Sequence, residues 1–137
     1  MILNAGGAAA AAGGGETFIP VSTTLVNANA TGSKFSTIAQ ASGKGVLDIT
    51  VVVSSAMYTD RQKAKVTVDG VVIANSTPVA QLGKTIQKQN AEFHTNGCYA
   101  RCCTFITIPF KKSIKFELYG QNADYSATAQ GTLFLCE

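Results

Sequence analysis

The residues best suited to chemistry lie in one short stretch, HTNGCYARCC, which holds His94, Cys98, Cys102 and Cys103. Imidazole and thiolate groups are ligands that zinc prefers. The cysteines are separated by three residues and by none, whereas zinc knuckles usually carry paired C-x₂-C turns. Adjacent residues of a strand also point to opposite faces. We therefore predict no metal site and no cofactor. If a metal were bound, these four residues would be the weak candidates for its ligands.

The state of the thiols is a separate question, because the chain has four cysteines, an even number. Reduced thiols that are buried as small apolar groups are the favoured interpretation. A disulfide that joins Cys98 or Cys102 to Cys136 is the alternative.

General acid–base chemistry has little support in the sequence. His94 is the single histidine, and it lies in a polar stretch. Acidic residues show no spacing that predicts a shared site, and Asp69 is explained by a turn. We therefore predict no catalytic residue and no enzymatic activity.

Aromatic and amide side chains could form a sugar-binding face, since tyrosine rings stack on apolar sugar faces. The absence of tryptophan weakens this hypothesis, and tyrosine is also common where its hydroxyl reaches water. The candidate glycan contacts are Tyr58, Tyr119, Asn122 and Tyr125.

The composition limits the classes of partner that the chain is suited to bind. Charged residues make up 14% of the chain, against about 25% in an average soluble domain, so its surface is easily desolvated against other proteins. The net charge is +3 and the basic residues are scattered, which argues against nucleic-acid binding. No segment approaches the length of a membrane helix, and the N-terminal residues make a poor export signal. We expect synthesis in the cytoplasm without export.

Strand patterns dominate the chain after residue 16. Alternating residues predict strands over Val46–Ser54 and Ser113–Tyr119, and similar patterns occur over Thr17–Val26, Tyr99–Phe110 and Tyr125–Cys136. Pro20 indicates a sheet edge or a bulge in the strand predicted over Thr17–Val26. Residues 81–97 are polar and weakly patterned, and we predict a loop there and no amphipathic helix.

The clearest local signal is KVTVDGVVIA, in which Asp69-Gly70 separates two β-branched runs. Asp-Gly suits the positive φ angles of a type I′ hairpin turn. A two-residue loop would pair Val68 with Val71 and Val66 with Ile73.

Seven or eight strands with short turns predict an all-β fold, an antiparallel β-sandwich that is jelly-roll-like. An extended N-terminal arm, residues 1–16, would precede the sandwich domain, residues 17–137. The arm is rich in alanine and glycine, and ordering it costs about 1–2 kcal/mol per residue. We expect a neighbouring subunit to hold it, through Met1, Ile2, Leu3, Asn4 and Phe18, with folding back onto its own domain as the alternative.

Three stretches carry a resemblance to small structural proteins of tailed bacteriophages. They are the leading Met1–Asn4 with its Ala/Gly arm, the run from Ser42 to Ala74, and the closing SIKFELYGQNADYSATAQGTLFL. The likeness implies a non-enzymatic virion subunit, in the head decoration or associated with the tail or fibre. It also implies capsid or tail partners, a homo-oligomer that is often a trimer, and assembly in the host cytoplasm. The alternative function is a carbohydrate-binding adhesion or receptor-binding module.

Overall fold

The structure is a computed structural model that describes residues 9–12, 16–53, 62–89, 94–98, 103–120 and 126–137. In these ranges the chain forms eleven strands and one α-helix. In chain order they are β1 (Ala9–Ala12), β2 (Glu16–Phe18), β3 (Pro20–Ala30), β4 (Ser36–Ser42), β5 (Gly45–Val53), β6 (Lys63–Val68), β7 (Val71–Pro78), α1 (Val79–Gln89), β8 (His94–Cys98), β9 (Cys103–Phe110), β10 (Ser113–Tyr119) and β11 (Ala127–Cys136).

Two antiparallel sheets form the body of the protein. One has the strand order β3-β11-β5-β9-β8, and the other has the order β4-β10-β6-β7. Without β1, β2 and β8, the eight remaining strands lie in the orders first-eighth-third-sixth and second-seventh-fourth-fifth. This connectivity is that of a jelly roll, a sandwich of two interlocked Greek keys. The prediction of an all-β antiparallel sandwich is confirmed.

Period-two alternation explains how the two sheets share one core. On β5, Leu47, Ile49 and Val51 are buried, and on β10 Ile114, Phe116 and Leu118 are buried. All belong to one cluster with residues of both sheets. The predicted inward faces of these two strands are therefore confirmed.

The Asp-Gly hairpin forms with a change of register. Asp69 and Gly70 have φ of 51° and 83°, as a type I′ turn requires, and Val68 pairs with Val71. Val66 pairs with Ala74, however, so the predicted Val66–Ile73 pair is wrong. A bulge at Ile73 inserts one residue, which lets Ile73 and Ala74 both be buried.

The predicted loop over residues 81–97 is also wrong. Residues Val79–Gln89 form α1, and His94–Cys98 form the edge strand β8. Val79, Leu82 and Ile86 are fully buried at helical spacing. The helix packs against β7, β8 and β9, so it covers one lateral side of the sandwich.

Candidate assembly surface

The five-stranded sheet ends at β3, whose first half is exposed. β3 pairs with β11 from Pro20 to Ala30, and in the part of the chain that the structure describes no strand pairs with its other edge. All five residues from Val21 to Leu25 are exposed. Val21 keeps 62% and Leu25 keeps 84% of its surface accessible. We call Val21–Leu25 the open edge segment.

Burial on β3 is confined to its second half. Val26 and Ala30 belong to the core cluster, whereas Ser22 and Thr24, on the same face of the strand, are exposed. The open edge segment is therefore accessible on both faces as well as along its free backbone edge.

Phe18 anchors the N-terminal segment beside this edge. Its ring is 1% exposed and packs with Val46, Phe134 and Cys136. Val46 alternates with the core residue Leu47, so this second cluster lies on the outer face of the five-stranded sheet.

Lys44 and the chain end complete the surroundings of Phe18. The Lys44 ammonium lies 5.0 Å from the centre of the Phe18 ring, a cation–π contact. The Glu137 N–H donates to the Ile19 carbonyl at 3.0 Å. These contacts place Phe18 inside its own domain, so the prediction that its ring docks on a neighbour is corrected.

The alanine-rich segment forms a hairpin with the residues that lead into Phe18. β1 pairs antiparallel with β2, with Ala9 opposite Phe18 and Ala12 opposite Glu16. The other predicted arm residues, Met1, Ile2, Leu3 and Asn4, lie outside the described residues.

The described residues of the stretch from His94 to Cys103 lie on β8 and at the start of β9, at the edge of the same sheet that is opposite β3. The backbone register places Cys98 opposite Cys103 and His94 opposite Thr107, and Cys102 lies outside the described ranges. Among the described residues no group of three or more histidine, cysteine or acidic side chains could hold a metal ion.

A Cys98–Cys136 disulfide, the alternative left open by the sequence, is wrong. Cys98 pairs with Cys103, which pairs with Val52, which pairs with Thr128. Cys136 lies eight residues further along β11, which is about 26 Å at ~3.3 Å per residue. A disulfide requires Cα atoms within about 7 Å.

Cys136 is a free, half-buried thiol in the described part of the chain. Burial raises the pKa of the Cys136 thiol above its ordinary value of 9.0, and the positive charge of Lys44 opposes this. The thiol therefore stays protonated at neutral pH and behaves as a small apolar group against Phe18.

Tyr119 is the one predicted glycan contact within the described residues, since Tyr58, Asn122 and Tyr125 lie outside them. Its ring centre lies 5.7 Å from that of Phe35 at an angle of 46°. The Lys63 ammonium lies 5.8 Å from the same ring. Tyr119 is half-buried between these two side chains.

Further apolar side chains are exposed elsewhere on the surface. Phe105 on β9 and Val52 on β5 keep 44% and 41% of their surfaces accessible, and Val71 and Val72 on β7 keep 62% and 47%. Phe105 lies in register with Thr50, and Thr50 with Gln130, so its neighbours across the sheet are uncharged.

Comparison with known protein families finds none that matches this chain. Comparison with curated proteins finds no relative either. Within the described residues no helix is long and apolar enough to cross a membrane.

Proposed function

We propose that this protein is a non-enzymatic structural subunit of a tailed-bacteriophage particle, in the head decoration or associated with the tail or fibre. It docks on capsid or tail proteins through the apolar residues that precede its sandwich. The observation that carries the proposal is the open edge segment, which exposes Val21 and Leu25 on a strand without a charged residue.

Such a surface favours permanent assembly. Soluble proteins usually protect sheet edges with charge, proline or a covering element. An exposed apolar edge remains soluble when other subunits cover it, and a low charge makes its desolvation inexpensive. Jelly rolls occur in viral capsid proteins and also in lectins and cupins, so the fold agrees with the proposal but does not select it.

The position of the N-terminal segment adds support. Phe18 fixes its base on the outer face of the five-stranded sheet, beside the edge that β3 leaves open. Met1, Ile2 and Leu3 are apolar residues, of the kind that a neighbouring subunit can bury. Backbone pairing along an Ala/Gly segment gives affinity without large side chains.

The direct test is sedimentation of particles from the producing host through a density gradient, with an antibody against the full chain. We expect the protein in the particle band at a constant ratio to the major particle protein. Recovery only with unassembled proteins would overturn the proposal.

A substitution tests the docking route. We expect Ile2→Asp with Leu3→Asp to reduce the amount of protein in particles, because two carboxylates must then be desolvated. Lys84→Asp, at an exposed position of α1, is the matched control and should be incorporated normally. Equal incorporation of both variants would contradict docking through the N-terminal residues.

A further inference from the structure

The open edge segment has a side-chain order that is nearly the same in both directions. Around Thr23 the residues are Val21, Ser22, Thr24 and Leu25. In an antiparallel pair centred on Thr23, each Val21 would lie opposite a Leu25 and each Ser22 opposite a Thr24. Thr23 would lie opposite its own copy.

Cross-strand pairs of this kind are favourable. Apolar residues opposite each other and hydroxyl residues opposite each other stabilise antiparallel strands, whereas like charges opposite each other destabilise them. The match holds on both faces of the strand, and both faces are exposed. We infer that the open edge segments of two copies of this chain pair antiparallel about a two-fold axis at Thr23.

The backbone of β3 is suited to such pairing. Its register with β11 is regular from Ala30 to Ser22, and the described shift lies beyond this, between Leu135 and Cys136. A regular strand directs the N–H and C=O groups of every second residue to its free edge, where an antiparallel partner can pair with them. Pro20, which lacks an N–H, lies outside the segment that pairs.

The charge of β3 favours a second copy as the occupant. None of the residues from Pro20 to Ala30 is charged, so the two-fold arrangement brings no like charges together within the paired strands. A two-fold contact uses the same surface on both copies and closes on itself. It therefore covers the open β3 edge of each copy at once and joins the two five-stranded sheets.

This inference deepens the proposed function and rests on the same open edge segment, because it names the subunit that covers this edge. Docking through the N-terminal residues is a separate contact. The inferred dimer also differs from the trimer that the phage resemblance implies, since a three-fold arrangement does not place Thr23 opposite its own copy. The contact can be measured on the purified full chain, without particles.

The test exploits the self-pairing of Thr23. In sedimentation velocity under reducing conditions, we expect the wild-type chain to form a dimer. Thr23→Lys and Thr23→Glu should each weaken self-association by about tenfold or more, because each places like charges opposite each other. An equimolar mixture of the two variants should recover the dimer, because lysine then lies opposite glutamate.

Thr37→Lys and Thr37→Glu provide the matched control, since Thr37 is an exposed threonine on β4, the edge strand of the other sheet. Both should dimerise as the wild type does. A monomeric wild-type chain would overturn the inference. So would a dimer that both Thr23 variants leave unchanged, since another surface would then form it. Failure to find the protein in particles would overturn the proposed function alone.

Discussion

The carboxylate of Asp69 binds the backbone of Lys112, and the two residues belong to different hairpin turns. The Lys112 N–H donates to Asp69 Oδ1 at 2.6 Å, and the N–H groups of Lys111 and Ser113 donate to the same oxygen at 2.9 and 3.1 Å. The Asp69 N–H in turn donates to the Ser113 carbonyl at 2.9 Å. One residue thus takes the positive φ that its own turn requires and fixes the turn that connects β9 to β10.

Removal of this carboxylate should destabilise the sandwich. Hydrogen bonds to a charged group contribute about 1.5–3 kcal/mol, and alanine disfavours the positive φ at this position. We expect Asp69→Ala to lower the free energy of unfolding by about 2–4 kcal/mol, measured by urea denaturation. Asp69→Asn keeps an acceptor and tolerates positive φ, so its loss should be about half as large. Equal losses for the two variants would contradict this role of the carboxylate.

Gly131 lies where β11 has no room for a side chain. A Cβ at this position would overlap the Asp48 carbonyl oxygen and lie 2.8 Å from the Ile49 Cα. We expect Gly131→Ala to cost about 1–3 kcal/mol or more, because backbone must shift. Gly32 has nothing within 4 Å of the same position, so Gly32→Ala is the matched control and should leave the thermal midpoint nearly unchanged. A Gly131→Ala protein as stable as that control would disprove the close approach.

Gln62 is fully buried, and among the described residues neither polar atom of its side-chain amide has a hydrogen-bond partner. A buried polar group without a partner costs about 1–3 kcal/mol. We expect Gln62→Met, which is similar in volume and apolar, to raise the free energy of unfolding by about 1 kcal/mol. Gln40→Met, at an exposed position of β4, should have no such effect. A loss of stability in Gln62→Met would show that the amide is hydrogen-bonded.

The Cys136 thiol gives the stability a dependence on alkaline pH. Its pKa is raised in the folded state, so folding favours the protonated thiol. The stabilisation is complete below the ordinary pKa of 9.0 and declines as the pH rises through the raised pKa. Urea-unfolding midpoints should therefore fall more steeply above pH 9.0 in the wild type than in Cys136→Ala. Parallel pH profiles for the two proteins would refute the shift.

The parts of the fold that could be predicted depend on short-range patterns. Ser113–Tyr119 alternates apolar and polar residues, and it forms β10 with the predicted ends and the predicted inward face. The Asp-Gly turn was likewise readable, because positive φ at two successive positions restricts the residue types. The bulge at Ile73 could not be predicted from the sequence, since it depends on which side chains the opposite sheet can accommodate.

Among the elements that the sequence did not predict, α1 and β4 were missed for different reasons. The residues of α1 that face the core, Val79, Leu82 and Ile86, have helical spacing, but Gly83 and the polar residues between them obscured it. Apart from Ile38, β4 consists of small and polar residues, and Ala39 is its one buried residue. Such an edge strand is defined by its partner β10 more than by its own composition.

The candidate assembly surface was predictable only in part. Pro20 indicated an edge, and β3 is an edge strand. The exposure of both faces of its first half could not be predicted. It depends on the pairing of β3 with β11, about a hundred residues away in sequence, and on where the other sheet ends. The burial of Phe18 likewise depends on Val46 and Phe134, which no local pattern connects to it.

The anchor at Phe18 also has a practical use. A dye attached next to Phe18 would lie on the outer face of the five-stranded sheet, away from the sheet that β4, β10, β6 and β7 form. Labels on Lys65 or Lys115 of that other sheet would report on the opposite side of the molecule. The two labelling positions together would reveal which side of the protein faces outward in any assembly that it builds.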